Sequence, residues 1–320
     1  MTKRKRRESV THKIMSRVIE IQNEKTPHDL SRKNYIRNTK RFISFCRERY
    51  DCRDFDSCRE HIQDYSDYLK GQEYTPSTIS TYIASVCSTF NISMGTICGR
   101  PHRKAGEFTR GRQNILNHTN QDFNDPSYKR LVVFQMIAGL RRNELKNLTG
   151  DCLVKDSDNF WCLYVRNGKG GKSQLQRLVR PEDIDIIKPY FEGKMPDEPI
   201  FMQQELNNDL NLHKLRALSA QAYYEYQLNR IMTEPGYEEE LIRQIRKRWE
   251  ETNIDKRTGK PRPFNEKNLK SWYVTRGSVR KAAIKNGRPI KYRRSAALAC
   301  SVFRLSHYRV SVSIANYLIL

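Results

Sequence analysis

The sequence predicts a mainly α-helical protein with a small antiparallel β-sheet, organised as two domains. A length of 320 residues corresponds to a prior of about two domains. Through residues 31–95, apolar residues recur at helical spacing and no strand pattern interrupts them. Farther along, two strand-like segments, 160–166 and 174–179, flank a glycine-rich turn of the hairpin type.

The overall charge predicts a polyanionic partner. There are 59 Lys and Arg residues against 36 Asp and Glu, which gives a net charge of +23. An excess of this size favours binding to nucleic acid, most simply double-stranded DNA.

The cysteines and the apolar content argue against other classes of protein. The 8 cysteines include no C-x-x-C pair, and Cys46, Cys52 and Cys58 have no histidine at ligand spacing. We therefore expect reduced thiols and no bound metal. No run of apolar residues is long enough to span a membrane, and the basic start of the chain lacks the apolar stretch of a signal peptide. These features predict a cytoplasmic protein without membrane contact.

The first part of the chain predicts a basic arm and then a helical domain. Residues 1–27 include the basic run Lys3–Arg7, which predicts a flexible arm that touches phosphates or serves as a solubilising tail. Residues 28–96 predict three helices: one from about Ser31, one over Cys58–Lys70, and one that begins at Thr75-Pro76.

A glycine-rich basic segment, residues 97–125, separates this domain from the next and predicts a linker. We expect its basic side chains to bind DNA phosphates, which would make binding weaken steeply with salt. These residues are Arg100, Arg103, Lys104, Arg110 and Arg112.

The second domain, residues 126–320, carries the motifs. Its predicted elements are a helix over Lys129–Ala138, the segment Gly139–Leu145 (G-L-R-R-N-E-L), the hairpin, and a helix over Pro181–Tyr190. A helix from Leu212 follows, and His213 and Arg216 share one of its faces.

The rest of the second domain predicts an insertion and a motif-bearing end. Residues 230–294 predict a polar insertion with one helix, Tyr237–Glu251, either solvated or in contact with DNA. A last helix, Ser295–Leu305, leads to His307, and Tyr317 follows ten positions later.

These residue types fit phosphodiester transfer. A tyrosine of ordinary pKa, about 10, is a weak nucleophile and needs neighbours that stabilise the phenolate. Two arginines can clamp the phosphate oxygens. A lysine can protonate the leaving oxygen, and histidines can handle the proton of the tyrosine.

The order of the motifs resembles the tyrosine recombinases (phage integrases) over roughly residues 30–320. The order is G-x-R, a lysine on a β-turn, H-x-x-R, and then a histidine and a tyrosine. The resemblance implies a SAM-like helical core-binding domain and a tyrosine-recombinase catalytic domain. It implies these catalytic residues, with Glu144 orienting the first: Arg141, Lys169, His213, Arg216, His307 and the nucleophile Tyr317.

Within that family the chain looks most similar to integrases of integrative and conjugative elements. In those proteins H-x-x-R is followed by A-x-x-Y, a long insertion, Y-x-x-R-G, and then a histidine, an arginine and a terminal Y-L. The counterparts here are Ser219–Tyr224, the 230–294 insertion, Tyr273–Gly277, His307, Arg309, Tyr317 and Leu318.

The resemblance implies a site-specific recombinase that integrates or excises a mobile element through a 3′-phosphotyrosine intermediate. It implies a homotetramer on paired DNA sites, no metal and no nucleotide cofactor. An excision or DNA-bending protein would be a further partner, and the protein would associate with the bacterial nucleoid in the cytoplasm.

The chain departs from the family pattern at three points. Ser306 stands where the family has a glycine before the late histidine. The interval from His307 to Tyr317 is one residue longer than in the best-known members. Few residues follow Tyr317, so we expect the C-terminal helix that couples many family members to be absent or short.

Several alternatives stay open from the sequence. Arg142 competes with Arg141, Lys172 with Lys169, Tyr308 with Tyr317, and Tyr273-x-x-Arg276 with the H-x-x-R pair. Two other functions also fit, a type IB topoisomerase-like enzyme and a DNA-binding protein with a decayed site.

Overall fold

The computed structural model describes residues 9–102, 123, 125–168, 171, 173–206, 210–255 and 257–319. Contacts divide the chain into two compact units, Met1–Lys104 and Ala105–Leu320. The described parts are mostly helical with small antiparallel sheets, so the predicted fold class is confirmed at that level. No helix among these residues is both long and apolar enough to cross a membrane.

The first unit is built from helices around an aromatic centre. The Phe42 ring lies 5.2 Å from that of Tyr65 and 5.5 Å from that of Phe90. The Thr75 hydroxyl accepts a hydrogen bond from the Thr78 N–H at the start of α5, and Pro76 occupies the first helical turn. The helices are α1 (Val10–Lys25), α2 (Asp29–Tyr50), α3 (Phe55–Arg59), α4 (Ile62–Gly71) and α5 (Pro76–Phe90).

The expectation of a flexible arm is wrong for the part of residues 1–27 that the structure describes. Val10–Lys25 forms helix α1, and Ile14 and Val18 are buried against the first unit. Gln22 is buried too, and its Nε2 donates to Thr89 Oγ1 at 2.9 Å. Buried residues four apart share one face of a helix, and the high charge of the segment concealed that spacing. The predicted Cys58–Lys70 helix is also two helices, α3 and α4.

Several predicted DNA-contact and catalytic positions lie outside the described residues. Among the basic linker residues, only Arg100 is described, and its Nε donates to the Ile97 carbonyl at 3.4 Å. The linker role stays a prediction, as does the role of the hairpin lysine. The positions outside the described residues are Arg103, Lys104, Arg110, Arg112, Lys169 and Lys172.

The second unit alternates helices with short strands. The elements are α6 (Lys129–Ala138), α7 (Arg142–Lys146), β1 (Leu153–Lys155), β2 (Trp161–Val165), β3 (Gln174–Arg177), α8 (Ile184–Ile187), α9 (Leu212–Thr233), α10 (Tyr237–Thr252), β4 (Trp272–Val274), α11 (Gly277–Lys285), β5 (Lys291–Arg293), α12 (Arg294–Ala299) and α13 (Val310–Ser313). Helices α12 and α13 each continue as a wider π-type turn, Cys300–Leu305 and Ile314–Leu318. The helix predicted over residues 181–190 is the short α8 between two 3₁₀ turns.

The predicted hairpin is part of a three-stranded antiparallel sheet in the order β1-β2-β3. Cys162 on the central strand pairs with Val154 on one side and with Arg177 on the other. A second antiparallel pair, β4 and β5, places Tyr273 opposite Tyr292. That second pair lies within residues 230–294, where the sequence predicted only one helix.

Part of residues 230–294 is integrated into the core, whereas 257–263 and 265–268 are exposed. Helix α9 runs past residue 230, and α10 follows after a short turn. Leu241, Ile242 and Ile245 of α10 are buried in the same cluster as Phe303. The expectation of a polar surface insertion is therefore wrong for α10, whose apolar face is part of the core.

A buried ion network fastens α10 to the sheet. Asp156 Oδ2 accepts from Arg177 Nε at 2.7 Å and from Arg248 Nη2 at 2.8 Å. Arg177 also donates to Asp158 at 2.8 Å and to Gln244 at 2.7 Å. Burial alone would raise the pKa of Asp156, but the two arginines and the backbone N–H donors outweigh it, so the net shift is downward.

Replacing Asp156 with Asn should destabilise the second unit by about 3–5 kcal/mol, since it removes the buried carboxylate that two buried guanidiniums share and leaves Arg177 with Asp158 alone. The 3 tryptophans of the chain, Trp161, Trp249 and Trp272, all lie in this unit, so denaturant unfolding followed by tryptophan fluorescence reports on it selectively. Glu266→Gln, which breaks the exposed pair with Arg246, is the control and should cost less than about 1 kcal/mol.

The difference in unfolding free energy between the wild-type protein and Asp156→Asn should also depend on pH. Because the folded-state pKa of Asp156 is depressed, its contribution is present above the unfolded pKa of about 3.9 and is lost as pH falls through the folded pKa. This difference in unfolding free energy should be constant near neutral pH and should decrease below about pH 4. A difference in unfolding free energy that increases in acid would show that these arginines do not stabilise the Asp156 carboxylate.

Candidate active site

A tight turn after α6 places Arg141. Gly139 ends α6 with a φ of +61°, and a Cβ there would lie 2.8 Å from Ser219 Oγ. Glycine is therefore required both by the left-handed backbone and by the close approach of α9. Next to it, the Leu140 N–H donates to the buried Gln135 Oε1 at 3.0 Å. These contacts fix the turn immediately before Arg141, the residue that precedes α7.

Two arginines share one buried carboxylate, Glu144. Arg141 Nη1 lies 2.5 Å from Glu144 Oε1, and Arg216 Nη1 lies 3.6 Å from Glu144 Oε2. The Arg141 N–H also donates to Glu144 Oε2 at 2.7 Å. Both guanidiniums in addition reach the Leu305 carbonyl at 3.5 Å. Glu144 thus holds the arginines of two separate motifs side by side, with one positive charge left over.

Arg216 is almost fully removed from solvent, whereas Arg141 is partly exposed. The Arg216 guanidinium donates to the carbonyls of Gly139, Arg304 and Leu305. Its Nε is buried without a hydrogen-bond partner in the described part of the chain. Burial and the charge of Arg141 lower the pKa of Arg216 from its ordinary value, and Glu144 opposes that shift.

Tyr317 lies against this pair and between two histidines. Its ring centroid is 5.9 Å from Arg216 Cζ, and its Oη is 3.2 Å from His307 Nε2. The His213 ring lies edge-on at 5.7 Å from the Tyr317 ring. Tyr317 is buried, His307 is half-buried and His213 is exposed. The site is therefore open on the side of His213 and Arg141 and closed behind the phenol.

His307 lies in a turn with left-handed backbone on both sides. Ser306 has a φ of +52° and Tyr308 a φ of +55°. The His307 N–H donates to the Ser301 carbonyl at 3.1 Å, which closes the turn onto the preceding helix. A glycine at position 306 would adopt this backbone freely, whereas a non-glycine residue such as Ser306 adopts it at a cost.

Side chains hold the backbone around Tyr317 in place. The carbonyls of three successive residues, Tyr317, Leu318 and Ile319, each accept a side-chain hydrogen bond. The donors are Gln221 Nε2 at 2.8 Å, Tyr292 Oη at 3.4 Å and Asn286 Nδ2 at 2.7 Å, in that order. Two of these donors belong to residues 230–294, so that segment positions the end of the described chain.

A further arginine, Arg304, supports the site and was missed from the sequence. It is fully buried and donates to the carbonyls of Ile137, at 2.6 Å, and Arg177, and to Ser219 Oγ. Burial lowers its pKa to about 10. One side chain thereby joins α6, β3 and α9 directly behind Gly139. The sequence indicated this role in one way: Arg304 is the one charged residue in the largely apolar stretch 296–305.

Five of the six predicted catalytic residues are therefore in one cluster, and the sixth, Lys169, lies outside the described residues. Three of the sequence alternatives lie elsewhere, and Lys172 is outside the described residues. Arg142 donates to the carbonyls of Leu206 and Leu210. Tyr308 donates to Thr252 Oγ1 at 2.7 Å, and burial raises the pKa of its phenol. Tyr273 pairs within the β4–β5 sheet.

No family model matches the chain, and a search of curated proteins found no match. One solved structure to which the chain is similar is the crystal structure of XerA recombinase. The two chains are 14% identical, and the match covers 69% of this chain and 84% of the other, with a TM-score of 0.22. A likeness at that TM-score carries no argument about fold or function.

The turn at Ser306 gives a test of the site's backbone. Ser306→Gly should change the free energy of unfolding by less than about 1 kcal/mol, because relief of the left-handed strain is offset by a more flexible unfolded chain. Ser306→Val should cost at least about 1–2 kcal/mol, since a β-branched residue is strained at positive φ. Tryptophan-monitored denaturation measures both.

Ser311→Val is the matched control, because Ser311 is exposed on the short helix α13, where valine and serine have similar helix propensities. Equal costs for valine at positions 306 and 311 would mean that the turn is not strained.

Proposed function

We propose that this protein is a tyrosine-type DNA recombinase that cuts and rejoins strands through Tyr317. The observation that carries the proposal is the packing of one phenol against a histidine and a buried arginine, with a second arginine on the same carboxylate. Positive groups fixed in a low-dielectric site stabilise the charge of a pentavalent phosphate more than water does. The net charge of +23 supports DNA as the substrate.

Each side chain of the candidate site has a separate role in the proposed reaction. Tyr317 Oη attacks the phosphorus, a tyrosine–phosphate bond forms, and the bond to the 5′-oxygen breaks. The phenolic proton passes to His307 Nε2, which is 3.2 Å away. Lys169 supplies a proton to the leaving 5′-oxygen, as the family resemblance implies. Attack by a 5′-hydroxyl reverses each step and rejoins the strand without a nucleotide or a metal.

The phosphate would be held by the two arginines. Arg141 is accessible from solvent, and the buried Nε of Arg216 has no protein acceptor in the described residues. Arginine presents donors in a planar fork that matches two phosphate oxygens. Exposed His213 lies at the rim, where it would contact the phosphate as it enters.

We extend the proposal to the assembly and the biological setting. One site cuts one strand, so exchange between two duplexes needs four chains, and we propose a homotetramer on paired DNA sites. The basic linker, Arg100 with Arg103, Lys104, Arg110 and Arg112, would hold phosphates on each site. Integration or excision of a mobile element, in the cytoplasm and at the nucleoid, is the setting we propose for this activity.

Tyr317→Phe should abolish covalent complexes while leaving DNA affinity close to wild type, because only the phenolic oxygen is removed. The measurement uses a pool of labelled nicked duplexes of randomised sequence, which release a strand fragment on cleavage and trap the covalent complex for denaturing gels. Gel-shift binding on the same pool measures affinity.

Tyr308→Phe is the matched control and should still form the covalent product, since its phenol donates to Thr252 and not to the site. Covalent product in Tyr317→Phe would move the nucleophile elsewhere. If the wild-type protein formed no covalent product, a DNA-binding protein with a decayed site would be favoured. If it relaxed supercoiled DNA without paired sites, a topoisomerase-like enzyme would be favoured.

Arg216→Lys should lower the cleavage rate by at least about 100-fold, the scale of losing one transition-state donor, because an ammonium cannot reproduce a bidentate fork. Single-turnover cleavage of the same nicked pool measures it, with circular dichroism to confirm folding. Arg142→Lys is the control, because that guanidinium binds loop carbonyls, and it should cleave near the wild-type rate. Equal rates for the two variants would exclude Arg216 from the phosphate.

A further inference from the structure

Three cysteines of the first unit lie together. Cys46 is near the end of α2, Cys52 is in the connecting loop and Cys58 is in α3. Their sulfur atoms are all within 4.8 Å of one another, and all three side chains are buried. Among the residues that the structure describes, this is the one group of three metal-ligating side chains close enough to hold an ion.

The sequence alone predicts reduced thiols here, because no histidine is at ligand spacing. Buried cysteine also serves as a small apolar residue, and Cys87 does so in the same core without joining the group. What differs for the other three is convergence from three separate segments of the chain onto one point. A cation held by three sulfurs needs no histidine at a fixed spacing.

The spacing of the sulfur atoms suits a tetrahedral soft cation. A Zn–S bond of about 2.3 Å and tetrahedral angles place thiolate sulfurs about 3.8 Å apart. From the observed separations the sulfurs would close by no more than about 1 Å, within the range of side-chain rotation. Thiolates select zinc and other soft cations over magnesium or calcium.

We propose that Cys46, Cys52 and Cys58 bind one Zn²⁺ ion, with water in the fourth position. Binding releases three thiol protons and leaves a site of net charge −1 from the cation and three thiolates. Cys52 lies on a loop and, at 5% exposed, is the least buried of the three. Arg47 Nη1 donates to the Cys52 carbonyl at 2.8 Å, so a positive charge lies beside the site, although Asp51 pairs with the same guanidinium.

The ion would fix the α2–α3 connection. Asp51, which ends α2, has a left-handed φ of +46°, and α3 has only 5 residues. A helix that short is not stable by itself, and in this structure it depends on the Asp54 cap and on stacking of Phe55 against Phe90. A cation bound by α2, the loop and α3 would add a direct tie between them. This inference does not depend on the proposed function.

The test is metal binding by the full-length, tag-free protein after reduction and removal of metals. Titration with Co²⁺, a spectroscopic substitute for Zn²⁺, should give thiolate charge-transfer bands and tetrahedral d–d bands at one equivalent, and added Zn²⁺ should abolish them. Cys52→Ser should lower the affinity by more than the 10- to 100-fold typical of an outer-shell change. Cys98→Ser, at an exposed cysteine of the same unit, should bind like wild type.

Alkylation gives a second measurement that does not depend on the variant's folding. With wild-type protein at a denaturant concentration where the buried Cys52 reacts in the absence of metal, Zn²⁺ should protect Cys52 from N-ethylmaleimide while the exposed Cys98 continues to react, as read by peptide mass spectrometry. No thiolate bands, an unchanged affinity in Cys52→Ser, or no protection of Cys52 would each overturn the proposal. A disulfide that forms within the group in air once the reductant is removed, with no zinc uptake by the reduced protein, would replace it with a redox pair.

Discussion

The geometry of the candidate site depends on keeping guanidinium groups out of water. Arg216 and Arg304 are both buried, and the second has only neutral acceptors among its hydrogen bonds in the described chain. Desolvating a cation is costly, and carbonyl dipoles from α6, β3 and the π turn after α12 offset that cost. Each guanidinium therefore imposes the relative positions of the elements that supply those carbonyls. The Gly139 turn is fixed between Arg216 and Arg304, and Arg141 is held in place by that turn.

Buried guanidinium groups also hold the insertion, residues 230–294, against the rest of the second unit. Asp156 pairs with both Arg177 and Arg248 in the core, and Asp158 pairs with Arg177 as well, which binds α10 to the sheet. Arg177 also lies 3.8 Å from the ring centroid of Phe303, one residue before Arg304. The ion network and the candidate site are thus adjacent parts of one core. Asn286 and Tyr292 of the insertion then donate to the carbonyls of Ile319 and Leu318, directly after Tyr317. An insertion that is polar by composition contributes apolar packing and directed hydrogen bonds.

Helices with strong periodicity and the order of the motifs could be predicted from sequence, whereas the supporting contacts could not. The Lys129–Ala138 helix has the same limits in the structure, because glycine ends it. Helix α1 was missed because charge concealed a narrow apolar stripe, and the third strand β1 was missed because it has only 3 residues. Gln135, Gln221 and Arg304 act through partners 5 to 167 residues away in sequence, and such pairings depend on tertiary packing that no local pattern records.

A π-type turn sets the direction in which Tyr317 faces. One added residue in an α-helix would rotate everything after it by about 100°. Here α13 passes into a π-type turn, where the Ile319 N–H donates to the Ile314 carbonyl at 3.3 Å, five residues back. A π turn absorbs one residue without rotating the helix that follows, and such turns are frequent at functional sites. Tyr317 faces His307 from within this wider turn, and the hydrogen bonds to the carbonyls of residues 317–319 stabilise it.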